Sequence, residues 1–246
     1  MCQFFSCVSN GQGNLFYFDW KMRKELLKSN PEHYEPDSHT SVAHKFNLNG
    51  DKVNKYEYNP LTKEFIVDQI NIKDDRALVK RKLDNMDWKT IIEPLIVKPI
   101  INPLTDVKEK KVTKKDINNL KKWSSVRDSV GAFVGDSVGV FVGASVGDSV
   151  GVFVGVFVGA SVGDSVWDSV WASVGDSVWD SVGASVEDSV WDSVGAYISS
   201  FFDIKYEYDF KPSIELWERG FVPSFDGKIW RLHQGKDAKI VFKIEK

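Results

Sequence analysis

Cys2 is the first residue whose chemistry must be weighed. Removal of Met1 exposes an N-terminal thiol whose own amine can serve as base, the arrangement of N-terminal-nucleophile hydrolases. Asp37, His39 and His44 are candidates to assist it. Two features oppose this chemistry: no Gly follows Cys2, and no segment announces an oxyanion hole. Cys2, Cys7, His33, His39 and His44 also bear metal-ligating atoms, but no pair has the spacing of a zinc finger. No metal or other cofactor is expected. The run Asp37-Ser38-His39-Thr40-Ser41 is polar and precedes a helix, so helix capping accounts for most of it, with a small functional pocket as the alternative. Trp230, Arg231 and His233 fall on one strand, with Arg231 and His233 sharing a face that suits an acidic ligand or plain solvent.

A second set of candidates is repetitive. Residues 125–196 are eighteen tetrapeptides without a frame break. Ser or Phe comes first, Val always second, then Gly, Trp, Arg or Glu, then Asp, Ala or Val. Trp167, Trp171, Trp179 and Trp191 form an aromatic series suited to stacking on a protein or glycan, and Asp168, Asp180 and Asp192 lie beside them. Gly, Trp and Arg codons can all be a variable base followed by GG. A mutating 12-base repeat therefore yields the same variety without selection for Trp.

The array's four-residue period constrains its backbone. In an α-helix, each repeat turns Val by about 400°, so the stripe drifts about 40° per repeat. Eighteen repeats would carry it twice round the helix. Gly fills nine consecutive third positions from Gly131 to Gly163, each costing about 1 kcal/mol against Ala in a helix interior. A β-solenoid uses the period directly, with Val inward and Gly or Asp at the corners. The solenoid is the expectation and a long α-helix the alternative, better supported where Gly thins out over residues 161–196.

Ordinary elements flank the array. Residues 1–104 read as an α+β domain. They hold hairpins at 3–8 with 15–20 and at 55–58 with 64–70, and helices at 21–29, 41–46 and 75–86. Pro94, Pro99 and Pro103 keep 92–104 extended. Residues 105–124 read as a lysine-rich linker helix, with Thr113 and Asp116 as a capping box and Ile117 and Leu120 on one face. Residues 197–246 read as a small β-rich cap. It has a helix at 214–219 ended by Gly220 and a three-stranded meander turning at Asp226-Gly227 and at 234–237.

Met1-Cys2-Gln3-Phe4 with Asp37-Ser38-His39, the Asp-Ser-Val-Trp array, and Pro223-Ser224-Phe225-Asp226-Gly227 followed by Trp230-Arg231-Leu232-His233 resemble a family of bacteriophage and prophage proteins. The resemblance covers nearly the whole chain. It implies a viral origin and carries over no catalytic residues.

Composition narrows the function. The chain has 246 residues, 42% hydrophobic, which argues against global disorder. The array holds nine Asp, Glu187 and only Arg127 as a base, hence −9, against −3 for the whole chain and +6 for the remainder. An acidic array repels nucleic acid. No run of about 18 apolar residues suggests a membrane span, and no basic segment opens a signal peptide. The expectation is a non-enzymatic interaction protein, in a bacterial cytoplasm or on a virion, that offers a Ser/Asp/Trp surface to a protein or glycan. The alternatives are a Cys2 hydrolase and a structural component of the virion.

Overall fold

The computed structural model describes residues 5–29, 38–92, 95–135, 166, 168–171, 178 and 187–246. The chain divides into two compact units, Met1–Pro99 with Asp164–Val166, and Ile100–Gly163 with Trp167–Lys246.

The first unit is built on a four-stranded antiparallel sheet of order β2-β1-β3-β4. Its strands are β1 (Phe5–Ser9), β2 (Leu15–Phe16), β3 (Asn54–Tyr58) and β4 (Phe65–Gln69). Helices α1 (Trp20–Ser29), α2 (His39–Lys45), α3 (Arg76–Asp84) and α4 (Trp88–Ile91) flank it. All five residues of β1 are buried, because both sheet faces are covered. On one face Val8 packs with Phe18, Val42 and Val53, backed by Met22 and Leu26 of α1. On the other, Phe5 meets the Trp88 ring edge-on at 4.9 Å, and Tyr58 stacks on Trp88 at 5.3 Å. Pairs Phe5–Tyr58, Cys7–Tyr56 and Ser9–Asn54 lie directly opposite, so these side chains share that face. Both expected hairpins are present. The helix expected at 41–46 starts at His39, capped by Ser38, whose Oγ accepts Ser41 N–H at 3.4 Å.

The second unit holds α5 (Lys114–Gly135), α6 (Glu187–Ser199), α7 (Lys211–Glu218) and the sheet β5 (Val222–Phe225), β6 (Ile229–Gln234), β7 (Lys239–Glu245) in that order. The expected capping box opens α5: Thr113 N–H donates to Asp116 Oδ2 at 2.8 Å, and Asp116 N–H to Thr113 Oγ1 at 3.4 Å. Asp116, Leu120 and Trp123 follow helical spacing and are all buried. Helix α7 ends as a Schellman motif: Phe221 N–H bonds Leu216 O at 3.0 Å and Gly220 N–H bonds Trp217 O at 2.9 Å. Gly220 has φ +85°, which explains glycine there. The β5–β6 turn sits one residue later than expected. Gly227, at φ +92°, opens its central pair, and Asp226 Oδ1 accepts from Lys228 and Ile229 N–H.

Two expectations need correction. The lysine-rich helix does not end at 124: α5 runs on to Gly135, through the first tetrapeptides. The β-solenoid does not hold at either end of the array, because α6 covers 187–196 and the described residues 166, 168–171 and 178 are also helical. Residues 136–165, 167, 172–177 and 179–186 lie outside the described residues. Over short lengths the valine stripe drifts little. Across Val190, Val194 and Ile198 the stripe turns only about 80°, inside an apolar face about 100° wide. All three are buried.

The serines explain why four residues suit a helix locally. Ser193 Oγ donates to Ser189 O, and Ser129 Oγ to Ser125 O, both at 2.9 Å. A period of four brings each hydroxyl to the carbonyl one repeat back, so Ser can be buried with its donor satisfied.

Candidate functional site

The two ends of the array meet. Arg127, in the first tetrapeptide, forms an ion pair with Asp192, in the seventeenth. Asp192 is fully buried and Arg127 is 15% exposed, so the pair is nearly out of solvent. The Arg127 guanidinium also lies 5.7 Å from the centre of the Phe225 ring on β5. From the chain end, Lys246 Nζ sits 5.4 Å from the same ring and donates to Asp128 Oδ1 at 2.6 Å. Arg127 stands where other repeats have Gly, Trp or Glu; as the lone base of the array, it is the sequence signal for this clamp.

Helix α6 then seals the edge of the sheet. Phe225 N–H donates to Ser189 Oγ at 2.9 Å, and Ser193 Oγ makes a second, longer bond to Pro223 O at 3.3 Å. Strand β5 is an edge strand, and these groups point away from β6. Pro223 removes one edge donor outright, and α6 covers the rest. The first and the seventeenth tetrapeptide thus meet at one place on the second unit.

Five of the described array valines are inward, while Val126 is half-buried. Val166, Val170, Val178, Val190 and Val194 are at most 1% exposed. Trp171 and Trp191 stack on each other, ring centres 4.2 Å apart and planes 23° apart, and both stay half-buried. Asp168 is exposed. Asp192 is not on the outer surface expected of it; it is buried against Arg127. Trp167, Trp179 and Asp180 lie outside the described residues, as do Cys2, His33 and Asp37.

The other expected chemistry is spent on structure. His39 Nε2 lies 3.0 Å from Tyr56 O and Nδ1 3.5 Å from Asp68 Oδ2, tying α2 to the sheet. His44 is exposed. Cys7 is fully buried, and burial, with the nearby Asp75 charge, pushes its thiol up and keeps it protonated. Arg231 is held by Asp226, and His233 is buried, so they do not form the open face expected for an acidic ligand. His233 Nε2 accepts the Ser224 hydroxyl at 2.7 Å, and its Nδ1–H donates to Ala238 O at 2.9 Å. This has the form of a nucleophile–base pair, but both members are buried and a carbonyl stands where a carboxylate would orient the ring. Burial lowers the His233 pKa, Arg231 adds to this, and the Ala238 bond opposes it only in part.

One buried carboxylate organises the first unit. Asp75 accepts from Ser9 Oγ, from Gly13 N–H at 2.6 Å, from Asn54 Nδ2 at 2.9 Å and from Tyr56 Oη at 2.7 Å. Burial alone would raise its pKa, but these donors outweigh it and hold the group below the usual carboxylate range. The sequence shows Asp75 only as an acid at a helix start. Among the described residues, no cluster of three or more His, Cys, Asp or Glu could hold a metal ion, and no helix is long and apolar enough to cross a membrane.

Comparison with protein-family models, with curated proteins and with solved structures finds no match to this chain.

Proposed function

We propose that the protein is a non-catalytic interaction protein of viral origin, in which the two ends of the array are clamped together on the second unit. The observation that supports this is the ion pair between Arg127 and Asp192, which joins the first and the seventeenth tetrapeptide. With the ends clamped, whole repeats can be gained or lost between them while the base stays unchanged. Val166, Val170, Val178, Val190 and Val194 are buried, and the surface offered to a protein or glycan is drawn from the third and fourth positions that stay open. Asp168 is exposed, and the stacked Trp171 and Trp191 are half-buried.

The test is to delete residues 136–186 and keep α5 and α6. The shortened chain is expected to melt like the full chain in its second unit and to lose binding. Binding is read on a glycan array and by capture of infected-cell proteins identified by mass spectrometry. Retention of the same partners by the shortened chain would overturn the reading. So would hydrolase turnover that disappears in Cys2→Ala.

A further inference from the structure

We infer that the outer face of α5, with the lysines that lead into it, binds the phosphate backbone of a nucleic acid. Residues 100–124 hold seven Lys against Asp106, Glu109 and Asp116, a net +4 of the +6 that lies outside the array. Asp116 is buried and taken by Arg219, whose Nε and Nη2 donate to it at 2.6 and 3.0 Å, so it does not neutralise the lysines. Lys115 pairs with Glu215 at 2.9 Å and stays 68% exposed. Lys108, Lys110, Lys111, Lys114, Lys121 and Lys122 are exposed, and none is in an ion pair with another described residue.

The helix gathers these charges on one side. At about 100° per residue, Lys114, Lys115, Asn118, Lys121 and Lys122 fall within a sector of about 120°. Asp116, Asn119, Leu120 and Trp123 fill the opposite side and are buried, and Trp123 meets the Phe210 ring edge-on at 6.5 Å. Lys114 and Lys121 stand two turns apart, about 10 Å, as do Lys115 and Lys122. No acid lies on this outer face between Lys114 and Ser125. Helix stability does not account for the lysines. Lys114 opens α5, where the macrodipole disfavours a cation.

The kind of anion follows from the surroundings of the charges. A helix that lies on a membrane carries Trp, Phe or Leu open between its lysines. Here the neighbours on the open face are Asn118 and Ser125, and Leu120 and Trp123 are turned into the unit. An open row of point charges suits a polymer whose charges repeat at short, regular intervals, bound by counterion release in any register. The acidic array begins only after this face in sequence, so its repulsion of nucleic acid does not fall on the lysines themselves.

The experiment is fluorescence anisotropy of a labelled single-stranded DNA oligonucleotide titrated with the full chain between about 50 and about 200 mM NaCl. The wild type is compared with a triple variant, Lys114→Gln with Lys121→Gln and Lys122→Gln. A control, Lys236→Gln with Lys239→Gln and Lys243→Gln, removes the same charge from exposed positions of the last hairpin. Wild-type binding is expected to weaken as salt rises. The triple variant should lose at least about tenfold in affinity, with a log–log salt slope shallower by about 2. It should melt no lower than the wild type, since the three lysines make no ion pair, and the control should bind like the wild type. Absence of binding by the wild type, or equal losses in the triple variant and the control, would overturn the inference. Tighter binding to phosphatidylserine vesicles or to polyglutamate than to the oligonucleotide would do the same.

Discussion

Arg127 and Asp192 are 65 residues apart in sequence and hydrogen-bonded in the fold. Asp192 gives up all its hydration, and the Arg127 guanidinium is the cation paired with it. Arg127→Met removes that cation from beside a fully buried carboxylate. It is expected to destabilise the second unit by about 3–5 kcal/mol. Removing both charges in Arg127→Met with Asp192→Leu is expected to recover most of the loss. Urea unfolding of the four chains in a double-mutant cycle measures this, and additive losses would show that the pair is not coupled.

The serines of α6 make a smaller, separate contribution. Ser189→Ala withdraws the acceptor of Phe225 N–H from a buried edge. A loss of about 1–3 kcal/mol is expected. Ser129→Ala is the contrast, since Ser129 is exposed and bonds only its own helix. Its effect is expected to stay within about 0.5 kcal/mol. Thermal melts of both variants decide the point.

The Asp75 centre makes the first unit sensitive to acid. Its pKa is lower folded than unfolded, so its stabilisation is complete above the unfolded value of about 3.9 and fades as pH falls through the lower folded one. Asp75→Ala leaves donors from Ser9, Gly13, Asn54 and Tyr56 without their acceptor and is expected to cost at least about 3 kcal/mol. The variant should also lose part of the acid dependence. Denaturant midpoints at pH 3 and pH 6 test both statements, and an unchanged pH profile would remove Asp75 from the account.

His233 works in a different window. Its folded pKa is lowered, so the unfolded chain takes up the proton first. Stability of the second unit is therefore full above about pH 6.5 and declines as pH falls below it. His233→Gln is expected to be less stable at pH 7.5 and flatter between pH 7.5 and pH 5. Proton-coupled melts that keep the wild-type slope in the variant would assign the dependence to another group.

Local order alone makes several elements readable. The Thr113–Asp116 box, the Gly220 stop of α7 and the turn after Phe225 each follow from a few neighbouring residues that satisfy one another's backbone groups. The inward Val also follows from its invariance, since an unchanging aliphatic residue beside a position that accepts both Gly and Trp marks the packed side. The backbone that carries this Val was not readable in the same way. A solenoid and a short helix both bury every fourth residue, and over a few turns the Val period does not separate them. The tertiary structure decided between them, by giving α6 a sheet edge to cover over three turns, where the drift of the stripe is small. Only the fold brought Arg127 to Asp192 and four donors to Asp75, because contacts across 19 to 66 residues leave no periodic trace for a single sequence to display.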